Sequence, residues 1–285
     1  MRLIFRVVRC IIVRDVYFTK GREKMKFGMP TLLEYSSLSD CVSAAASFGL
    51  DFVEVNLSFP GYTAEDLVAD DLNALAKRYG IFYTFHADEG LNPFDFTPSV
   101  SECYFDIMRK TIRLAKAVGA PIVNMHLQKG VYVTLPSGVV LLTDAYYSDY
   151  IKRVEAFIRL CEEEIGDAPL KIAIENVDSN PFTKSQISAL ELFMKSPVFA
   201  LTLDTGHELC LSFADAHIFE KYPEKLSHMH LHDAKGKSAH LPFGEGEVDI
   251  DKKLDLAKNL TCLIEVKTVA GLDTSLKYLK EKNVR

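Results

Sequence analysis

From Met25 onward, short apolar runs and helix-period stretches alternate eight times, and this rhythm limits the chain to very few architectures. The runs are KFGMP (26–30), DFVEVNL (51–57), IFYTFH (81–86), PIVNMHL (121–127), LKIAIEN (170–176), VFALTLD (the 197–204 region), LSHMHLH (226–232) and TCLIEVK (261–267). Each is rich in Val, Ile, Phe or Leu and is bounded by Gly, Pro, Asn or Asp, the pattern of strands buried on both faces. Between them lie helical stretches such as AEDLVADDLNALAKRYG (64–80), SECYFDIMRKTIRLAKAVG (101–119) and YSDYIKRVEAFIRLCEEEIG (147–166). In the second of these, Phe105, Met108, Ile112 and Ala115 recur at three- and four-residue steps, and Gly119 ends the pattern.

Strands that alternate with helices build a parallel sheet covered by helices. Eight such units in the 261 residues from Met25 to Arg285 match a (β/α)₈ TIM barrel, which takes about 250 residues. The competing doubly wound sheet carries a glycine-rich phosphate turn after its first strand, and GMPTLLEYSS has none. The expected organisation is therefore an α/β barrel domain over 25–285 preceded by a short basic extension over 1–24. After the fourth strand, GVYVTLPSGVVLLTD (130–144) reads as a β-hairpin turning at Pro136-Ser137-Gly138. It would rise from the C-terminal face of the barrel, as a decorative loop or as a lid.

Charge narrows the partners. The chain carries 33 Lys+Arg against 39 Asp+Glu, a net of −6. Residues 1–24 hold seven basic and two acidic side chains, so the remaining chain stands at −11. An acidic body does not attract polyanions at long range. The basic segment leaves two readings open: an arm for nucleic acid or a membrane surface, or an appended β-prone extension with Met25 as the true start. Arg6, Arg9 and Arg14 interrupt its apolar residues, which disfavours a signal peptide. No apolar run reaches the ~18 residues of a membrane span. Six scattered cysteines without a CxxC read as free thiols in a reducing, cytoplasmic compartment.

Six of the eight runs end in a metal-ligand residue type: His86, His126, Glu175, Asp204, His230 and Glu265. Taken singly, each reads as an ordinary solvated rim residue. A barrel, however, gathers all its C-terminal strand ends on one face, where imidazoles and carboxylates together suit zinc, manganese, iron or cobalt. Two spacings add detail. Asp204 is followed three residues later by His207 across Thr205-Gly206, and His228, His230 and His232 alternate along one strand. His228 would lie deepest, His230 at ligand height, and His232 between rim and site.

In order and spacing, HAD, NMHLQ, IEN, LDTGH, HMHLHD-AK, HLPFGEGEVD (240–249) and LIEVK resemble the xylose-isomerase-like barrel superfamily from about Met25 to the C-terminus. That superfamily includes sugar isomerases and epimerases and also endonuclease IV, a nuclease of abasic DNA. The resemblance implies one divalent metal on Glu175, Asp204, His230 and Glu265, as in the isomerases. It implies a further ion on His86, His126 and Glu175 if the nuclease arrangement is kept. A third nuclease-type site would take His207, an Asp and His240, but Ser238 stands where the Asp aligns. The DNA-wedging residues expected after His86 are replaced by Ala87-Asp88-Glu89-Gly90. The implied cofactor is thus one or two divalent ions (zinc, manganese, cobalt or magnesium). The implied activity is sugar or sugar-phosphate isomerisation or epimerisation through an enediolate, with Glu175 and Glu265 carrying the proton. His207, Lys235, His240 and Glu54 are the expected substrate contacts. The alternative is a zinc-dependent abasic-site endonuclease. Expected partners are a small sugar or sugar phosphate, with nucleic acid disfavoured, no membrane, and self-association left open.

Overall fold

Gly28 pairs with Phe52 on one side and with Leu263 on the other, and this double pairing closes the sheet on itself. The structure is a computed structural model that describes residues 25–284; the basic segment 1–24 lies outside the described residues. In chain order the strands are β1 (Lys26–Pro30), β2 (Phe52–Asn56), β3 (Phe82–His86), β4 (Ile122–His126), β5 (Tyr132–Leu135), β6 (Gly138–Leu141), β7 (Lys171–Glu175), β8 (Phe199–Asp204), β9 (Leu226–Leu231), β10 (Asp233–Lys235), β11 (Ser238–Leu241) and β12 (Thr261–Ile264). Eight of them form one closed barrel in the order β1-β12-β9-β8-β7-β4-β3-β2, and each pairs in parallel with its neighbours. This is the TIM barrel expected from the alternation of strands and helices.

The helices cover the barrel with the faces that their periodicity specifies. The helix Pro98–Ala117 buries Phe105, Met108, Ile112 and Ala115. The helix Tyr147–Ile165 buries Tyr150, Val154, Phe157 and Cys161. One boundary differs from the sequence pattern. The second helix runs only over Ala69–Tyr79, not from Ala64. Thr63 and Asp66 hydrogen-bond to each other instead: Thr63 Oγ1 donates to Asp66 Oδ2 at 2.6 Å, and the Asp66 N–H donates back to Thr63 Oγ1 at 3.3 Å. These bonds cap one isolated turn, in which the Leu67 N–H donates to the Thr63 carbonyl at 3.1 Å, and extended backbone at Val68 (φ −100°, ψ 120°) parts that turn from the helix.

Two antiparallel hairpins stand on the C-terminal face. β5 and β6 pair from Tyr132–Leu141 to Leu135–Gly138, as the turn residues predicted, and Tyr132, Val133, Leu135 and Val139 are exposed. The second hairpin, β10–β11, was not evident in the sequence. It is tied down by Asp233, whose carboxylate accepts backbone N–H bonds from Ala234, Gly244, Gly246 and Val248 at 2.8–3.0 Å. A Cβ on Gly246 would stand 2.4 Å from Asp233 Oδ1, so the close approach requires glycine there.

Barrel closure demands a similar concession at β1. A Cβ on Gly28 would meet the Phe52 ring at 2.3 Å. Gly28→Ala is expected to destabilise the fold by about 1–3 kcal/mol through overpacking, read as a lower urea midpoint at an unchanged m-value.

Candidate metal centre

Strand register places the candidate side chains at one height. His126 of β4 lies beside Glu175 of β7, and Asp204 of β8 beside His230 of β9. Glu265 follows directly after β12, its N–H bonded to the Leu231 carbonyl at 2.9 Å. Because side chains alternate along a strand, His228 and His230 point inward while Met229 and Leu231 join the apolar core. Glu175, Asp204, His230 and Glu265 each offer a ligand atom within 4.8 Å of one another, and all four are buried. His230 Nδ1 stands 3.1 Å from Glu175 Oε1, 3.0 Å from Glu265 Oε2 and 3.9 Å from Asp204 Oδ2. On the other side of the same glutamate, His86 Nε2 and His126 Nε2 lie 3.5 and 3.3 Å from Glu175 Oε2. Glu175 is thus the hinge between two nitrogen–oxygen groups.

The far nitrogens of these histidines are already engaged. His86 Nδ1 lies 2.8 Å from the Ala87 carbonyl, and His207 Nδ1 lies 3.0 Å from that of Asn176. His126 Nδ1 lies 3.1 Å from Glu89 Oε2. A carbonyl or carboxylate only accepts, so each of these Nδ1 atoms carries hydrogen. The remaining Nε2 atoms of His86 and His126 then face carboxylate oxygens lone pair to lone pair, unless a proton or a cation stands between them.

The site's electrostatics express the same need. Burial alone would raise the Glu175 carboxyl, but His230 and His126 outweigh it and hold it well below the carboxylate range. Burial likewise opposes ionisation of Glu265, and His230 and Lys267 overcome it. Burial would lower His230, yet Glu175, Glu265 and Glu54 push it well above its ordinary value. His126 rises to about 10, with Glu175 the largest influence against burial. His230 Nδ1 and Glu265 Oε2 are also buried without any hydrogen bond, and His230 Nε2 meets the Glu54 carboxylate only as an ion-pair contact at 3.0 Å. Buried unsatisfied polar atoms are costly. These converging, unsatisfied donors fit a divalent cation in the quartet, and a mixed imidazole–carboxylate set is compatible with several such metals.

Above the quartet opens a cavity of about 390 Å³, lined by His86, Glu89, His126, His207, Glu265 and Lys267 among others. His207 and His240 both face it. Two expected substrate contacts do not. Lys235 is exposed on β10, because the β10–β11 hairpin carries it away from the cavity. Glu54 is sealed beneath the quartet at 2% exposure, with its carboxylate against His228 and His230. Two other lysines line the cavity, Lys129 and Lys267, and Lys267 Nζ lies 2.7 Å from Glu265 Oε1. Its position two residues after Glu265 in an alternating strand end was the available signal. Glu89, read from the sequence only as a missing DNA wedge, lies in the cavity wall and holds His126.

His207, His232 and His240 also cluster, but His232 has no free nitrogen. Its Nδ1 accepts the His240 N–H at 2.8 Å, and its Nε2 lies 2.9 Å from Asp204. Ser238 is exposed at the start of β11.

A family model described as the xylose isomerase-like TIM barrel matches residues 42–282. Among solved structures, a D-tagatose 3-epimerase-like protein is 23% identical, with 90% of this chain and 96% of that one covered and a TM-score of 0.72. D-allulose 3-epimerase from Methylomonas sp., solved in complex with D-allulose, is 15% identical, with coverage of 93% and 98% and a TM-score of 0.68. The IOLI protein, solved with a zinc atom bound, is 17% identical, with coverage of 91% and 97% and a TM-score of 0.66. At these identities the likeness is one of fold. No curated protein sequence matches the chain.

The raised histidines make metal uptake proton-linked. A group whose pKa is raised stays protonated until the pH passes that value, and a metal must displace the proton. Affinity should therefore fall as pH falls, and binding at pH 7 should release the His230 proton. A second ion at His86 and His126 should release the His126 proton as well. Calorimetry in buffers of different ionisation heat measures this release. Elemental analysis of the saturated protein should find one or two ions; three would show that the His207–His240 cluster binds metal after all.

Proposed function

The chain belongs to the xylose isomerase-like TIM barrel family, and from that premise we propose that it is a metal-dependent sugar or sugar-phosphate isomerase or epimerase. The observation that carries this reading is the pair of buried carboxylates, Glu175 and Glu265, on either side of His230 Nδ1, with Glu265 opening on a polar cavity. The cavity's size falls in the range of small-ligand sites, which is roughly 300–1,000 Å³. Those sites are mostly apolar, whereas among the described residues Val177 is the only aliphatic side chain lining this one, and no Phe or Tyr does. Such a wall suits a ligand that is polar on every side, as a sugar is.

A divalent ion in the quartet (zinc, manganese, cobalt or magnesium) would supply Lewis-acid stabilisation of the negative charge that develops on adjacent substrate oxygens. The chain's own residues do the rest. Glu265 opens on the cavity and Glu175 lies behind it, so one carboxylate removes the carbon-bound proton and the other returns it to the enediolate. Lys267 engages Glu265 Oε1, while Oε2 faces His230 Nδ1 in the quartet, so the lysine holds the carboxylate in place from the cavity side. His207 and His240 orient hydroxyls. Burial lowers His240 to about 4, so at neutral pH it is an uncharged hydrogen-bond partner. The five cysteines among the described residues are free, in keeping with a reducing, cytoplasmic setting, and no described helix is long and apolar enough to cross a membrane.

Glu175→Gln and Glu265→Gln should each lower turnover of a ketose substrate by about 10²–10⁴-fold, the worth of a positioned acid–base group, with the fold retained by circular dichroism. Metal-loaded wild type should exchange a carbon-bound proton of a ketose with deuterated solvent, and a chelator should abolish the exchange. The full-length chain and a chain starting at Met25 should both leave a synthetic abasic duplex uncut at low salt. Efficient incision without proton exchange would overturn the reading in favour of a nuclease.

A further inference from the structure

Below the quartet lies a second buried polar group that the proposed chemistry does not use. Glu54 enters the barrel interior from β2 and does not line the cavity. Its Oε2 accepts the Thr84 hydroxyl from β3 at 2.7 Å and lies 3.1 Å from His228 Nε2 of β9. His228 Nδ1 in turn lies 2.6 Å from Thr261 Oγ1 of β12. The other oxygen, Oε1, stands 3.0 Å from His230 Nε2. That nitrogen is opposite the one that faces Glu175 and Glu265. One carboxylate therefore joins four strands and reaches a metal-site imidazole from behind.

A neutral imidazole has one hydrogen and one lone pair, and a cation takes the lone pair. If His230 carried its hydrogen on Nδ1, that hydrogen would point into the quartet and no lone pair would be available there. Carboxylates stand beside both nitrogens, but with a cation in the quartet Glu175 and Glu265 turn to the cation, and Glu54 is the carboxylate left to attract the hydrogen, on Nε2. No cavity water reaches Glu54 at 2% exposure to take over this task.

Resting on the metal reading above, we propose that Glu54 is the positioning residue of the metal centre: it keeps the hydrogen on His230 Nε2 and fixes Nδ1 as the metal-binding nitrogen. Thr84 and His228 occupy its other oxygen and so hold the carboxylate in that orientation. Glu54 does not touch substrate in this account; it acts only through His230.

The test uses the full chain. In wild-type protein labelled with ¹⁵N-histidine and loaded with ¹¹³Cd, the metal should couple to His230 Nδ1, with the proton retained on Nε2. Glu54→Leu removes both acceptors. Its zinc affinity, measured by competition against a chelating dye, should fall about 10–100-fold, the usual effect of losing a group that orients a ligand. Thr84→Val removes one hydroxyl from Oε2 but leaves Oε1 and the His228 contact in place; it should lower the melting temperature and cost far less zinc affinity than Glu54→Leu. Wild-type affinity in Glu54→Leu, an equal loss in Thr84→Val, or cadmium coupling to Nε2 would each overturn the proposal. If Glu54→Leu does not fold, the wild-type coupling pattern decides alone. A wild-type chain that takes up no metal would overturn the metal reading itself, an outcome distinct from the others.

Discussion

Glu175, Asp204 and Glu265 converge on His230 at the upper end of one barrel, and the charge they concentrate there governs how everything around them is built. Buried carboxylates this close repel one another and lose their hydration. The imidazoles between them compensate, and each imidazole is steadied from behind: His86 by the Ala87 carbonyl, His126 by Glu89, His207 by the Asn176 carbonyl, His230 by Glu54. Backing groups from the loops after β3 and β7 and from β2 therefore matter as much as the ligand atoms. They decide which nitrogen turns inward, and so whether the cluster presents hydrogens or lone pairs.

This division explains what could be read from the chain and what could not. Strands buried on both faces leave continuous apolar runs, so the barrel and its order were legible, and strand ends carrying His, Asp or Glu marked the height at which these side chains converge. Apart from the Ala87 carbonyl next to His86, the backing interactions were not legible because they link residues far apart in sequence through the barrel's register. That Glu54 lies under His230 depends on the pairing of β1 with both β2 and β12. Lys235, expected at the substrate, is carried away by the hairpin of Asp233–Lys235 with Ser238–Leu241, whose one local sign in the sequence is Gly236, and Lys267, not singled out in the sequence, lines the cavity. The late start of the second helix follows from extended backbone at Val68, which parts a single turn over 63–67 from the helix, a break that hydrophobic periodicity does not register.

The cavity continues the same electrostatic theme. A metal-free centre keeps protons on His230 and His126, so its histidines and carboxylates approach balance without a metal. Replacing those protons by a divalent ion preserves that balance while adding a centre that can polarise two oxygens at once. Glu89 and Lys267 then set charge of each sign on the walls around the ligand. An apolar ligand would find no Phe or Tyr and one aliphatic side chain among the described lining residues, whereas a polyol finds a donor or acceptor on nearly every wall.

The loop after β9 shows how far this support extends from the ligands. His240 has a φ of 59°, in the left-handed region that non-glycine residues avoid, and such strain costs about 1–3 kcal/mol. The conformation is held because it places the His240 N–H on His232 Nδ1. That bond makes Nε2 the hydrogen-bearing nitrogen of His232, and Nε2–H lies against Asp204. Gly206 makes room for the arrangement, since a Cβ there would overlap the His232 ring at 2.0 Å. Asp233 gathers the backbone of Gly244 to Val248 and anchors the loop that must stay bent. A backbone conformation at the barrel mouth is thereby transmitted through one imidazole to a carboxylate of the metal site. The glycines of the GEG stretch and the turn after Asp204 are parts of that chain of contacts rather than separate loop features.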